Sequence, residues 1–329
     1  MPELHRFLPS TKVSDWVTPG IAASIGKMNM GGGYLAGGQG YTAQIMKMPF
    51  DTETTAVISA TMGVGYSGTA AHSNSGSAGY IAGGYNDPLT PKSSDNIDKL
   101  LYADDTASLL SAELDQRRTA AVGMSNSGTA GYICGGDVDG TATYSDLVDK
   151  FVYASDTSSE LGTALGFTQN TGAGFSHKGA FGFVIGGYSG SGAAGYLDEI
   201  DKWVFSSDTR SAMTDLPGRI AWNEAFSDDG VSGYMGGGWE VVSQNITTIY
   251  KWAYANDSRS TSSASISVAT SQHMGFANSG TAGYFMGGYT GGAVWVDRYA
   301  FTSDTRSTMS DMPSSQYSAA GFGDEVSLR

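Results

Sequence analysis

The sequence predicts an all-β chain built from repeated four-stranded sheets, and three observations carry that prediction. A short apolar motif ending in two glycines recurs six times, a cation inside an apolar strand follows each copy, and glycine is abundant (47 of 329 residues) while proline is sparse (8). Glycine-rich turns between short apolar runs are the mark of many short strands joined by tight turns. A repeat of about fifty residues overrides the two domains that length alone suggests.

The glycine motif reads GYLAGG at 33–38, GYIAGG at 79–84, GYICGG at 131–136, GFVIGG at 182–187, GYMGGG at 233–238 and GYFMGG at 283–288. Its glycine pairs are Gly37 and Gly38, Gly83 and Gly84, Gly135 and Gly136, Gly186 and Gly187, Gly237 and Gly238, and Gly287 and Gly288. The cations that follow are Lys47, Lys99, Lys150, Lys202, Lys251 and Arg298, in surroundings such as IDKLLYADDT and VDKFVYASDT; the first copy, IMKMPFDTET, is looser. From a cation to the next glycine pair the spacing is 37, 37, 37, 36 and 37 residues, whereas from a pair to its cation it is 9, 15, 14, 15, 13 and 10. Constant length marks packed structure and variable length an exposed loop.

Four strands fit each unit. Strand a resembles TAAVGMS at 119–125, and strand b ends on the glycine pair. After the variable loop, strand c carries the cation and an aromatic; an Asp-Thr or Asp-Ser turn leads to strand d. Alternation in strand c puts Trp203 and Phe205 on one face, Lys202 and Val204 on the other. Both faces are partly apolar, as a sheet held between neighbours requires, so the units are expected to stack radially as blades of a β-propeller. The glycine pairs and strand c aromatics resemble the kelch family, whose propeller also forms the central domain of galactose oxidase. The resemblance covers nearly the whole chain and implies architecture rather than function, because kelch propellers serve many unrelated roles. The degenerate Gly/Ser/Thr-rich form resembles propellers of phage virion proteins.

Seven blades in a single domain over 1–329 are expected, the last closed by both termini from about 1–20 and 314–329. The start, LHRFLPSTKVSDWVTPGIAA, resembles strands c and d at 200–221, and SAAGFGDEVSLR resembles a strand a. Six blades with terminal arms is the alternative.

The net charge of −14 opposes binding to a phosphate backbone, and no basic run offsets it, so nucleic acid is not an expected partner. No stretch is long and apolar enough to enter a membrane, and the start lacks the pattern of a secretory signal. Cys134, the single cysteine, reads as a small buried hydrophobe. His5, His72, His177 and His273 fall at unrelated offsets and form no ligand set, so no metal, cofactor or catalytic residue is expected, a copper centre included. The repeated cations read as structural, each laying its stem on a neighbouring blade.

The variable loops between strands b and c are the expected binding face, with Tyr41, Tyr144, Tyr196, Trp239 and Trp295 as candidate ligand residues. The expected role is non-catalytic: a phage virion component of tail, fibre or capsid in a multi-copy assembly. It would contact other virion or surface proteins, with host glycans as a further partner. A lectin-like module of cytoplasm or cell surface is the alternative, and a sugar epimerase or lyase type of propeller enzyme the third reading.

Overall fold

Short runs of alternating and β-branched residues between glycine-containing turns form strands throughout. In a computed structural model of the chain, residues 31–324 are described, apart from 178, 229, 291 and 292. They belong to the unit Gly31–Arg329, and the first thirty residues of the domain expected over 1–329 lie outside the described residues.

Six antiparallel sheets carry the a–b–c–d pattern among the described residues. Sheet II is the pattern in its plainest form: Ala70–Asn74, Ala78–Ala82, Asn96–Leu101 and Thr106–Glu113 follow one another in chain order. Sheets III to VI begin at Val122–Asn126, Ala173–His177, Glu224–Asp228 and Met274–Asn278. Sheet I consists of Gly32–Ala36, Gln44–Pro49 and Ala56–Thr61, and its strand a comes from the far end of the sequence, Ala320–Gly323. Tyr34 faces Phe322 in that register. This corrects the expected closure. The strand assigned to a seventh blade completes the first sheet, which among the described residues has no other strand a; the companion strands expected over 4–18 lie outside the described residues.

The ring closes in three concentric layers. Innermost, the strand a residues form columns around the axis. Ala71, Gly123, Gly174, Ala225, Gly275 and Gly321 share one level, and His72, Met124, Phe175, Phe226, Phe276 and Phe322 the next. The first column is small because neighbouring strands nearly touch: a Cβ on Gly123 would sit 1.8 Å from the carbonyl oxygen of Ala71, and one on Gly321 would sit 2.0 Å from that of Gly275.

The middle layer is apolar. Six core clusters lie between neighbouring sheets, and the one joining sheets VI and I holds Phe276 and Tyr284 against Met48 and Phe50. Strand c alternates as expected, Trp203 and Phe205 being buried while Lys202 and Val204 are half-buried. Its aromatics stack on the preceding sheet, for instance Tyr153 on Tyr80 with ring centres 5.2 Å apart.

The outer layer is ionic. Each repeated cation pairs with an acid in the c–d turn of the next sheet: Lys47 with Asp105, Lys99 with Asp156, Lys150 with Asp208, Lys202 with Asp257, Lys251 with Asp304, and Arg298 with Glu53. Nitrogen–oxygen distances run from 2.6 Å for Lys99 to 2.8 Å for Lys47. Strand b tyrosines join the same acids; Tyr132 donates to Asp208 at 2.8 Å and Tyr284 to Glu53 at 2.6 Å. The last pair joins sheet VI to sheet I.

One more ring runs through the linkers that carry the chain from each strand d to the next strand a. The N–H of Gly68 donates to the carbonyl of Ser318 (2.7 Å), Ala120 to Gly68 (2.7 Å), Thr171 to Ala120 (2.8 Å), Trp222 to Thr171 (2.8 Å), Gln272 to Trp222 (2.9 Å) and Ser318 to Gln272 (2.9 Å). These six bonds return to their start. All six residues have φ between 54 and 62°, the left-handed region that lets each N–H and carbonyl reach opposite neighbours. The glycine pairs sit against the same linkers. The N–H of Gly84 donates to the carbonyl of Arg118 at 2.8 Å, and a Cβ on Gly83, at φ 66°, would lie 2.5 Å from that oxygen. Both backbone angle and contact therefore require glycine.

Candidate ligand-binding face

Two concavities lie on opposite ends of the axis. One, of about 540 Å³, opens among the a–b turns and is walled by all six inner strands. Among the described residues, its lining holds no Asp, Glu, Lys or Arg side chain. Its serines are largely committed to holding the wall: the Ser73 N–H donates to Ser125 Oγ and the Ser125 N–H to Ser176 Oγ, both at 2.9 Å. Tyr102 and Tyr254 reach Ser73 and Ser227 at 2.7 Å from behind.

The other concavity lies on the b–c loop face. In four repeats, at Tyr85, Asp137, Tyr188 and Trp239, the residue after the glycine pair continues the β pairing outward, and Tyr188 bridges both Asn170 in the linker and Tyr196 on the returning loop. Trp239–Glu240 does the same between Ile220–Ala221 and Gln244–Asn245. These short extensions hold an aromatic group across sheets III to V. Tyr144 meets Tyr188 edge-on at 5.8 Å; Tyr188 and Tyr196 are 5.2 Å apart; Trp222 stacks on Tyr188 at 5.9 Å with 24° between planes and meets Tyr196 at 5.7 Å. Tyr188, Tyr196, Trp222 and Trp239 line a cleft of about 320 Å³ with Gly192, Ala193 and Val241, and all four rings are half-buried.

Of the five candidate ligand residues, Tyr196 and Trp239 line this cleft and Tyr144 adjoins it. Tyr41 stands apart, its ring 6.0 Å from that of Tyr85. Trp295 is corrected: only 8% exposed, it belongs to the core between sheets V and VI beside Ile266 and Phe285, because the shorter loop there folds its apolar residues inward. Trp222 was missed. It lies in a linker whose constant spacing marks it as framework; the available signal is that the equivalent residues are Gly68, Ala120, Thr171, Gln272 and Ser318, none aromatic.

Buried titratable groups behave as parts of the wall. Burial pushes the Cys134 thiol up to about 12 and the His72 and His273 imidazoles down to about 3 and about 4. Glu224, which keeps some exposed surface yet is surrounded by protein, is pushed up to about 8 by burial. Arg118 and Asp149 form a fully buried ion pair, and burial lowers the guanidinium to about 10. Among the described residues, no three His, Cys, Asp or Glu side chains gather into a group able to hold a metal ion.

The histidines set an acid limit. A folded-state value below the ordinary 6.5 means that the unfolded chain takes up protons first, so stability is full above pH 6.5 and declines as pH falls toward 3–4. Each histidine contributes about 1.4 kcal/mol per pH unit in that window. His72→Phe, which restores the residue found at four of the six equivalent positions, is expected to remove its share of the slope. Glu224 acts oppositely, its contribution falling as pH rises from about 4.5 to about 8, and Glu224→Gln should abolish that. Urea melts of parent and variants from pH 4.5 to 8.5 measure both.

No family model matches the chain, and no curated protein matches it. Solved structures do. The chain is similar to the structure of YjhT, with a TM-score of 0.66 and 13% identity, over 86% of this chain and 97% of that one. At that identity the likeness concerns the fold, an all-β propeller.

Proposed function

We propose that the chain is a non-catalytic binding propeller of kelch type, with six blades, that engages its partner through the b–c loop face. The reading places it in a multi-copy assembly such as a phage virion, where it attaches to surface proteins or host glycans. The observation that carries it is the aromatic cleft: four half-buried rings, three from the b–c segments and Trp222 from the adjoining linker, set on the hydrogen-bonded linker ring. Half-buried Tyr and Trp offer large rigid contact area at small entropic cost. The axial cavity, whose described lining holds no Asp, Glu, Lys or Arg, supports binding over acid–base turnover.

Tyr196→Ala with Trp239→Ala is expected to abolish retention on a glycan array and on bacterial cell surfaces while the melting curve stays within a few degrees of the parent. Lys150→Ala should leave retention intact and cost about 1 kcal/mol, the scale of a partly exposed ion pair plus its packed stem. Lysine variants that fold but no longer bind, beside loop variants that bind normally, would reverse the assignment.

A further inference from the structure

We propose that the cleft at Trp222 is a site for an uncharged sugar, with the indole of Trp222 as its stacking platform. The inference rests on the loop-face reading above and adds the ligand's charge class and a specific role for Trp222.

The placement of Trp222 is the first argument. The linker ring requires a left-handed residue at this position in all six repeats, with φ 54° at Trp222 and 62° at Gly68. Glycine meets that demand without strain, and bulky side chains rarely adopt it. The other repeats use Gly, Ala, Thr, Gln and Ser. Trp222 is the largest side chain of the set, and it is half-buried rather than part of any core cluster, so its packing does not explain the choice. Strain retained at a surface position, where a smaller residue would serve the fold, points to a role for the side chain itself.

The cleft's chemistry gives the ligand class. A pyranose ring has an apolar C–H face and a rim of hydroxyls. Indole and phenol rings match the first, and the hydroxyls of Tyr188 and Tyr196 suit the second. Among the described residues no charged side chain lines the cleft, so an acidic sugar finds no cation among them, and the chain's net charge of −14 repels it further. The volume of about 320 Å³ lies at the small end of ligand pockets, which favours one or two sugar units over the broad footprint of a protein partner.

The test uses the full chain against an array of neutral, sialylated and sulfated glycans, followed by calorimetry with the neutral glycan retained most strongly. Trp222→Gly is expected to melt at or above the parent temperature and to lose at least tenfold in affinity, and Trp239→Ala to lose affinity with an unchanged fold. Raising the salt concentration should leave binding unaffected. Retention of anionic glycans alone, or parent-like affinity in both variants, would overturn the inference. Loss of cell-surface retention in the Tyr196 and Trp239 double variant without any neutral glycan bound would overturn the sugar assignment while leaving the loop-face reading standing.

Discussion

Ending the chain after Tyr317 is expected to cost more stability than any single substitution described above. It removes Ser318 from the linker ring, opening that ring at two bonds, and takes away Ala320–Gly323, the inner strand of sheet I. An unpaired edge at Gly32–Ala36 is then left in a sheet that has no spare partner among the described residues, and exposed edges recruit other chains. Phe322→Ala is the graded version. Its ring is 5% exposed and stacks on Tyr34, centres 5.5 Å apart and planes 10° from parallel. Truncating a buried phenylalanine costs about 3–5 kcal/mol, which lowers the melting temperature by roughly 10 °C. The truncated chain should be recovered aggregated or should melt far earlier still. A truncated chain that melts like the parent would show that ring closure does not depend on this strand.

The second large effect is expected from one added methyl group. Gly123→Ala places its Cβ where the Ala71 carbonyl oxygen already lies, 1.8 Å away, and the obstacle is backbone of a neighbouring sheet, which no rotamer change relieves. Sheets II and III must move apart, loosening the apolar cluster that contains Tyr80, Phe151 and Tyr153. A loss of several kcal/mol follows, in line with overpacking at its severe end. Ala225→Gly, at the same level of sheet V, is the control; it removes one methyl and should cost about 1 kcal/mol, mainly through backbone entropy. Thermal melts of the two variants in parallel separate a requirement for small residues from a general sensitivity of the inner strands. Equal losses would contradict the close-approach account.

Much of this architecture is readable in the chain because each repeat must solve the same contact. The glycine pairs recur since linker carbonyls sit where a Cβ would go, and the cations recur since each has an acid waiting in the next sheet. The acids are visible too, as Asp105, Asp156, Asp208, Asp257 and Asp304 of the c–d turns. Read locally, they are turn residues. Their second role depends on a sheet fifty residues away and leaves no local trace. Ring closure is harder for a related reason. The likeness of residues 4–18 to strands c and d is real as a pattern, yet strand b at Gly32–Ala36 needs a strand a, and Ala320–Gly323 fits it in register. Pairing is decided by which edges are free, and periodicity says nothing about that.

The candidate site is less legible. Variable spacing correctly places Tyr196 and Trp239 on exposed loops, but the same rule treats Trp295 alike. What separates them is whether a loop is long enough to stand clear of the core: thirteen residues part Gly238 from Lys251, and ten part Gly288 from Arg298. Trp222 escapes because constant length describes the backbone of a linker, not the side chain it carries.

The linker ring has a sense of rotation. Every N–H points to the preceding repeat and every carbonyl to the following one, so the six peptide groups form a circuit without a first member. The sequence interrupts sheet I between Gly323 and Gly32, on the a–b side, and neither the linker circuit nor the circle of ion pairs passes through that gap. The polypeptide is linear while its cohesion is cyclic. Each of the five a–b turns is an equivalent place to cut it, and a circularly permuted chain opened between Asn126 and Ala130 would inherit every one of these bonds.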